Sequence, residues 1–216
     1  MNYKVLNKNF DKLTSEEFLS AILQQRGVED VQHLLNVSEK DLCDTMEFKN
    51  IKEGLNLFDY WMSQDGCHIH IIFDVDMDGC ASGKYMFGYI KKVNPSINIS
   101  CHMNEGKKHG IDIEEIQNIE TIDLLIVPDA GSSDIASYFA LNDKGIDVLI
   151  LDHHEIKLME DLSIEEAEQE ENNYKKLVKK YNIDCNNEKI EKGETVIINN
   201  QDGQYENKTL SGVGVC

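Results

Sequence analysis

His70-Ile-Ile-Phe-Asp-Val-Asp-Met-Asp-Gly79 runs from an apolar stretch into three alternating carboxylates and a glycine. Two further stretches repeat the plan, Asp123-Leu-Leu-Ile-Val-Pro-Asp-Ala-Gly131 and Asp147-Val-Leu-Ile-Leu-Asp-His-His-Glu155. A short β-branched and leucine-rich run reads as a strand buried on both faces, as in a parallel sheet. Ligands of an open α/β sheet sit in the crevice beyond the carboxyl ends of its strands. Three such strands would deliver Asp74, Asp76, Asp78, Asp129, Asp152, His153 and His154 to one rim. That many like charges require a cation. Oxygen ligands with imidazole suit Mn²⁺ or Mg²⁺, and the absence of nearby thiolate pairs argues against a structural zinc site. The pattern predicts a metal-dependent hydrolase.

Outward from these runs, strands are predicted at 68–75, 97–102, 123–128, 147–151 and 195–199. Helices are predicted at 80–92, 112–119, 133–143 and 163–181. This alternation implies an α/β fold, a parallel five-stranded sheet flanked by helices over residues 66–216. Residues 1–65 read as a separate helical segment. Thr14-Ser-Glu-Glu17 and Ser38-Glu-Lys-Asp41 are capping boxes, Phe18, Leu19, Ile22 and Leu23 recur at helical spacing, and Gly27 ends that helix. Ile51, Leu55, Phe58 and then Trp61 or Met62 line a third helix, and these stripes are read as core.

The net charge of −19 excludes nucleic-acid binding by global attraction, since phosphate contacts need a local positive surface. Seven of the acids fall between Glu160 and Glu171, most of them on the helix from Ser163, whose second half carries Lys175, Lys176, Lys179 and Lys180; it reads as a solvated surface element. The N-terminus has no hydrophobic signal core and the six cysteines form no C-x-x-C pair, which predicts a cytoplasmic protein with reduced thiols.

Asp74-x-Asp76-x-Asp78-Gly79, placed on an extended strand end, would turn its carboxylates to one face. As a calcium loop it fails, because the glutamate of loop position twelve would fall at Tyr85. Gly131 and Ser132 stand where a helix N-terminus should offer N–H and hydroxyl groups to phosphate. Asp152-His153-His154 is the most specific constellation: one imidazole could ligate metal while its neighbour faces substrate. His33, His68 and His70 read as satisfied surface or core residues. Lys107, Lys108 and His109 are the candidates for phosphate contact.

Taken together, these motifs resemble the DHH phosphoesterase superfamily and, within it, the RecJ-type single-strand nucleases. Strand ends D-x-D-x-D-G, D-x-G and D-H-H occur in the family's order. Leu23-Gln-Gln-Arg-Gly27, Asn104-Glu-Gly-Lys-Lys-His-Gly110, Val196-Ile-Ile-Asn-Asn-Gln201 and Leu210-Ser-Gly-Val-Gly214 extend the likeness over most of residues 15–216. The resemblance implies a catalytic set of Asp76, Asp78, Asp129, His153 and His154. Asp76, Asp78, Asp129 and His153 would be metal ligands, with Asp74 and Asp152 at or beside two ions of Mn²⁺ or Mg²⁺. His154 would contact the substrate phosphate. The implied activity is 5′-to-3′ hydrolysis of single-stranded DNA, as in DNA repair and recombination. Rival readings are a phosphodiesterase of cyclic dinucleotides or short oligonucleotides, and an inactive fragment or binding module. The interval after Asp152-His153-His154 is long for the family. The family's further aspartate and its substrate-gripping (DHHA1-type) domain do not follow Gly214-Val-Cys216. The expectation is therefore an incomplete site, weak activity of the isolated chain, and a second polypeptide as one source of the remainder.

Overall fold

The computed structural model describes residues 13–106, 108–119, 121–185 and 191–216. The chain divides into two compact units, Met1–Leu42 and Cys43–Cys216. In the first, helices α1 (Ser15–Gln25) and α2 (Val31–Leu35) are joined through Gly27, whose φ of +90° ends α1. The Thr14 capping box is closed: Glu17 N donates to Thr14 Oγ1 at 3.3 Å, and Thr14 N donates to Glu17 Oε2 at 2.8 Å. The box at Ser38 opens only a 3₁₀ turn, Glu39–Asp41.

The second unit is built on five strands among the described residues: β1 (His68–Phe73), β2 (Asn98–Met103), β3 (Leu124–Pro128), β4 (Asp147–Asp152) and β5 (Thr195–Asn199). All pair in parallel, in the order β2-β1-β3-β4-β5. The expected parallel sheet is present. Helices α3 (Ile51–Met62), α4 (Met77–Val93) and α8 (Gly212–Val215) pack on one face. The other face carries α5 (Ile113–Ile116), α6 (Ile135–Asn142) and α7 (Ile164–Tyr181). Covering both faces explains the unbroken apolar runs: Leu124 and Ile126 point to the first layer, Leu125 and Val127 to the second, and all four are fully buried. Each such side chain contributes roughly 1.5–3 kcal/mol of burial free energy.

From β1 the chain first winds outward to β2, then returns past β1 to start β3. The reversal opens a crevice between the carboxyl ends of β1 and β3, where an open sheet binds its ligands.

Two departures from the sequence reading concern helices. Helix α4 begins at Met77, ahead of the expected residue 80, because the Asp76 carboxylate caps the Gly79 N–H at 2.9 Å. Gly79 and Gly83 let α4 lie close on β1; a Cβ on them would meet Asp74 O and Phe73 Cδ1, each at 2.5 Å. Helix α3, grouped by its pattern with the N-terminal segment, packs on β4 and β5 instead. Its buried face runs through Gly54, Leu57 and Met62 while Leu55 is exposed, because a Cβ at Gly54 would already meet Ile198 Cδ1 at 2.5 Å. Trp61 Nε1 donates to Asp147 Oδ2 at 2.7 Å and fixes this helix to the start of β4.

Among the described residues no helix is long and apolar enough to cross a membrane, and all six cysteines are free thiols. His70 is 2% exposed, and burial, then the neighbouring imidazoles of His68 and His102, push its pKa down to about 4. The folded chain therefore binds fewer protons at this position than the unfolded chain once pH drops below 6.5. Stability is expected to fall as pH drops from 6.5 to about 4, by up to about 3 kcal/mol from this residue. Urea unfolding of the metal-free protein across that range checks it: His70→Asn should flatten the limb, and an unchanged slope would refute the assignment.

Candidate active site

The carboxyl ends of β1, β3, β4 and β5 present Asp74, Asp129, Asp152 and Asn199 in register along one rim. Asp129 is the centre. It is 1% exposed and takes a left-handed backbone with φ of +69°, a conformation that costs a non-glycine residue of order 1 kcal/mol or more. Its backbone N donates to Leu151 O at 2.7 Å, which holds the strained turn in place. Its buried Oδ1 has no hydrogen-bond partner; His153 Nε2 lies 3.1 Å away, outside hydrogen-bond geometry. Burial, then the charges of Asp78 and Asp76, push the Asp129 carboxyl up to about 7. An acceptor both desolvated and crowded by like charge is what a cation would relieve.

Asp78 sits in the first turn of α4, half-buried, with Oδ2 3.6 Å from His153 Nε2. Gly212 N and Val213 N donate to its two oxygens at 2.7 and 3.0 Å, so the start of α8 orients it. Gly212 has no room for a side chain: a Cβ there would lie 2.2 Å from Asp129 Oδ1. Asp76 is exposed and caps α4. Asp129, His153 and His154 each offer a ligand atom, all within 4.8 Å of one another. The Asp129 carboxylate and the His153 imidazole, beside Asp78, fit a divalent cation of the manganese or magnesium class.

Asp74 and Asp152 are held by protein donors. Asp74 is buried and accepts from Asn104 Nδ2 and His109 Nδ1, both at 2.7 Å, and from Gly110 N at 3.3 Å. The expectation that the three carboxylates converge from an extended strand end is corrected here: β1 stops at Phe73, and the helical turn around Asp76 and Asp78 separates them from Asp74. Asp152 Oδ1 accepts from His153 N at 2.7 Å, His154 N at 3.1 Å and His154 Nδ1 at 2.8 Å, while Oδ2 accepts from Ser132 N at 3.1 Å. Burial raises its pKa, but the donors from His154 and Ser132 outweigh burial and leave it below the usual range. The same bonds fold the His153-His154 pair into a turn with ring centroids 4.3 Å apart, so the imidazoles lie side by side and do not point to opposite sides. Burial lowers the His154 pKa, yet its bond to Asp152 and that residue's charge raise it above the ordinary value overall.

Beside this centre opens a cleft of about 380 Å³ lined by Asp74, His109, Gly131, Ser132, Asp152 and His154. Lys108 Nζ is held by Asp112 Oδ2 at 2.6 Å on the loop next to it, and Lys107 lies outside the described residues. Several residues were not anticipated in the sequence. Asn199 Nδ2 donates to Ser132 Oγ at 2.9 Å and to His154 O at 3.1 Å, Gln201 Nε2 donates to His153 O at 3.2 Å, and Asp134 Oδ2 accepts from Ile111 N at 2.7 Å. Asn199 ends β5, so the strand-end rule that found Asp129 also reaches it; Gly212 and Asp134 carry no such signal.

Comparison with known proteins gives the family and the fold. The family described as the DHH family, N-terminal domain, matches residues 68–199. A protein of Bacillus subtilis (strain 168) named as an SPbeta prophage-derived single-strand DNA-specific exonuclease, YorK, is 28% identical over 220 aligned residues, covering 100% of this chain and 31% of its own length. The single-stranded-DNA-specific exonuclease RecJ of the same organism is 24% identical over 72% of the chain and 21% of its own length. The chain thus spans about a third or less of these relatives. The fold is that of an exonuclease RecJ crystallised with manganese (TM-score 0.57, 15% identity, 81% of this chain and 37% of the other). It is also that of RecJ from Thermus thermophilus in complex with Mn²⁺ (TM-score 0.53, 15% identity, 81% and 20%).

Proposed function

The chain belongs to the DHH family, and from that premise we propose that it is the hydrolytic domain of a metal-dependent exonuclease that cuts single-stranded DNA from the 5′ end. One observation carries the reading. Asp129, Asp78 and His153, from three separate elements, close to 3.1 and 3.6 Å around an orphaned buried carboxylate oxygen. Asp76, Asp78, Asp129 and His153 would hold manganese or magnesium, two ions in the full set, which would supply positive charge to polarise water and the scissile phosphate.

The remaining work falls to the chain. Asp152 orients both imidazoles, and its hold on His154 Nδ1 leaves Nε2 free for the cleft. In the protonated ring Nε2–H donates to a phosphate oxygen, and the raised pKa keeps that form populated nearer neutrality. Gly131 and Ser132 border the path of the strand, with His109 on the facing loop and Lys108 beside it. Asp74 anchors that loop through Asn104, His109 and Gly110. The names of the relatives, single-strand DNA-specific exonucleases, favour DNA as the substrate.

A release assay with Mn²⁺ separates this from small-nucleotide chemistry. A long 5′-phosphorylated single strand should be degraded faster per end than a dinucleotide or a cyclic dinucleotide. Faster turnover of the small substrates would defeat the nuclease assignment.

A further inference from the structure

On the α5 side of the sheet, β1 and β2 carry three imidazoles on one face. His70 is paired with Ser100 and Ile72 with His102, so His68, His70, Ser100 and His102 share that face. A cavity of about 560 Å³ lies against them, lined by His70, Ser100, His102 and Glu115. Asp112, which caps α5, and Glu115, within it, bring carboxylate oxygens to within 4.8 Å of a His102 ring nitrogen and of each other. None of these residues belongs to the site described above.

A second observation is independent of that cluster. His68 Nδ1 meets the Thr121 carbonyl, which can only accept, so His68 carries its proton there. In the neutral ring His68 Nε2 is then an acceptor for the Ser100 hydroxyl at 2.6 Å. Ser100 Oγ, having donated, accepts from His70 Nδ1 at 2.7 Å. The relay leaves His70 Nε2 as a bare lone pair, and that atom is buried with no partner. An unsatisfied buried acceptor costs about 1–3 kcal/mol. An imidazole whose other nitrogen is tied to a hydroxyl or carbonyl is the usual arrangement of a metal-ligating histidine.

We propose that His102, Asp112 and Glu115 form a second divalent-cation site, in the cavity whose wall includes the unpartnered His70. One imidazole with two carboxylates, and a position left for water, suits a four-coordinate ion of the zinc class, Zn²⁺ or Co²⁺. Lys108 Nζ now occupies Asp112 Oδ2 at 2.6 Å and is the cation the metal displaces. Ion and ammonium therefore compete for one carboxylate. The site does not depend on the proposed nuclease activity.

The test uses Co²⁺ as probe in the Asp76→Asn/Asp129→Asn background, where the DHH site is disabled. One Co²⁺ should bind with the strong visible absorption of a four-coordinate ion. His102→Asn and Glu115→Gln should each weaken it by more than tenfold, and Lys108→Met should tighten it several-fold. No binding in that background, or binding indifferent to both His102→Asn and Glu115→Gln, overturns the proposal. Should the background fail to fold by circular dichroism, the unaltered protein serves: Zn²⁺ should raise its melting temperature, and His102→Asn should reduce that increment, the DHH site supplying the rest. Equal increments in the two proteins would overturn it.

Discussion

Asp129→Asn should lower hydrolysis of single-stranded DNA by about a thousandfold, the scale of losing a preorganised electrostatic contact at the reacting phosphate. The amide keeps the shape of the carboxylate and its 1% exposure, so the fold should persist. It removes the buried charge that faces His153 at 3.1 Å and would neutralise a cation there. Stability should move the other way. The Asp129 carboxyl is pushed up to about 7 by burial and by Asp78 and Asp76, so the folded metal-free protein disfavours its ionised form. Above pH 7 the neutral amide should therefore raise the melting temperature of the chelated protein. Activity and melting temperature measured together check the assignment: a variant that is merely unfolded would lose both, and one that kept activity would remove Asp129 from the centre.

Gly212→Ala, one methyl group, should cost between tenfold and a hundredfold in Mn²⁺-dependent activity, the range found when a group orienting a ligand is disturbed. The added Cβ would stand 2.2 Å from Asp129 Oδ1. To escape, the start of α8 must retreat, and the Gly212 and Val213 N–H bonds to Asp78 at 2.7 and 3.0 Å lengthen with it. Two carboxylates lose their positions through one change, and overpacking of this kind also costs about 1–3 kcal/mol of stability. Gly214→Ala is the control: its Cβ meets Leu210 and Ser211 at 3.4 Å or more, ordinary contact, so its activity should stay near that of the parent. Equal losses from the two substitutions would show that the approach to Asp129 does not set the effect.

How each part could be read depends on how local its cause is. The β3 and β4 runs were legible because burial on both faces demands continuous apolar residues, and their last residues, Asp129 and Asp152-His153-His154, then fall at the crevice by chain direction alone. The Asp74, Asp76 and Asp78 string was legible as acidic but not as geometry. One backbone bond, Gly79 N to Asp76 Oδ1, starts the helix early and sends the first acid to the 104–110 loop and the third toward His153. Helix α3 was misgrouped because its apolar spacing says that it buries a face without saying against what.

The amino-acid order by itself determined the strands, their parallel pairing and the rim on which the acids and histidines emerge, because each follows from side-chain periodicity, element alternation and chain direction. Tertiary structure alone decided that Gly212 meets Asp129 and that His70 ends a relay begun at Thr121. Such contacts join residues far apart in the chain, and periodicity carries no information about the ångström-scale approach that leaves the Asp129 oxygen without a donor and gives Asp152 four.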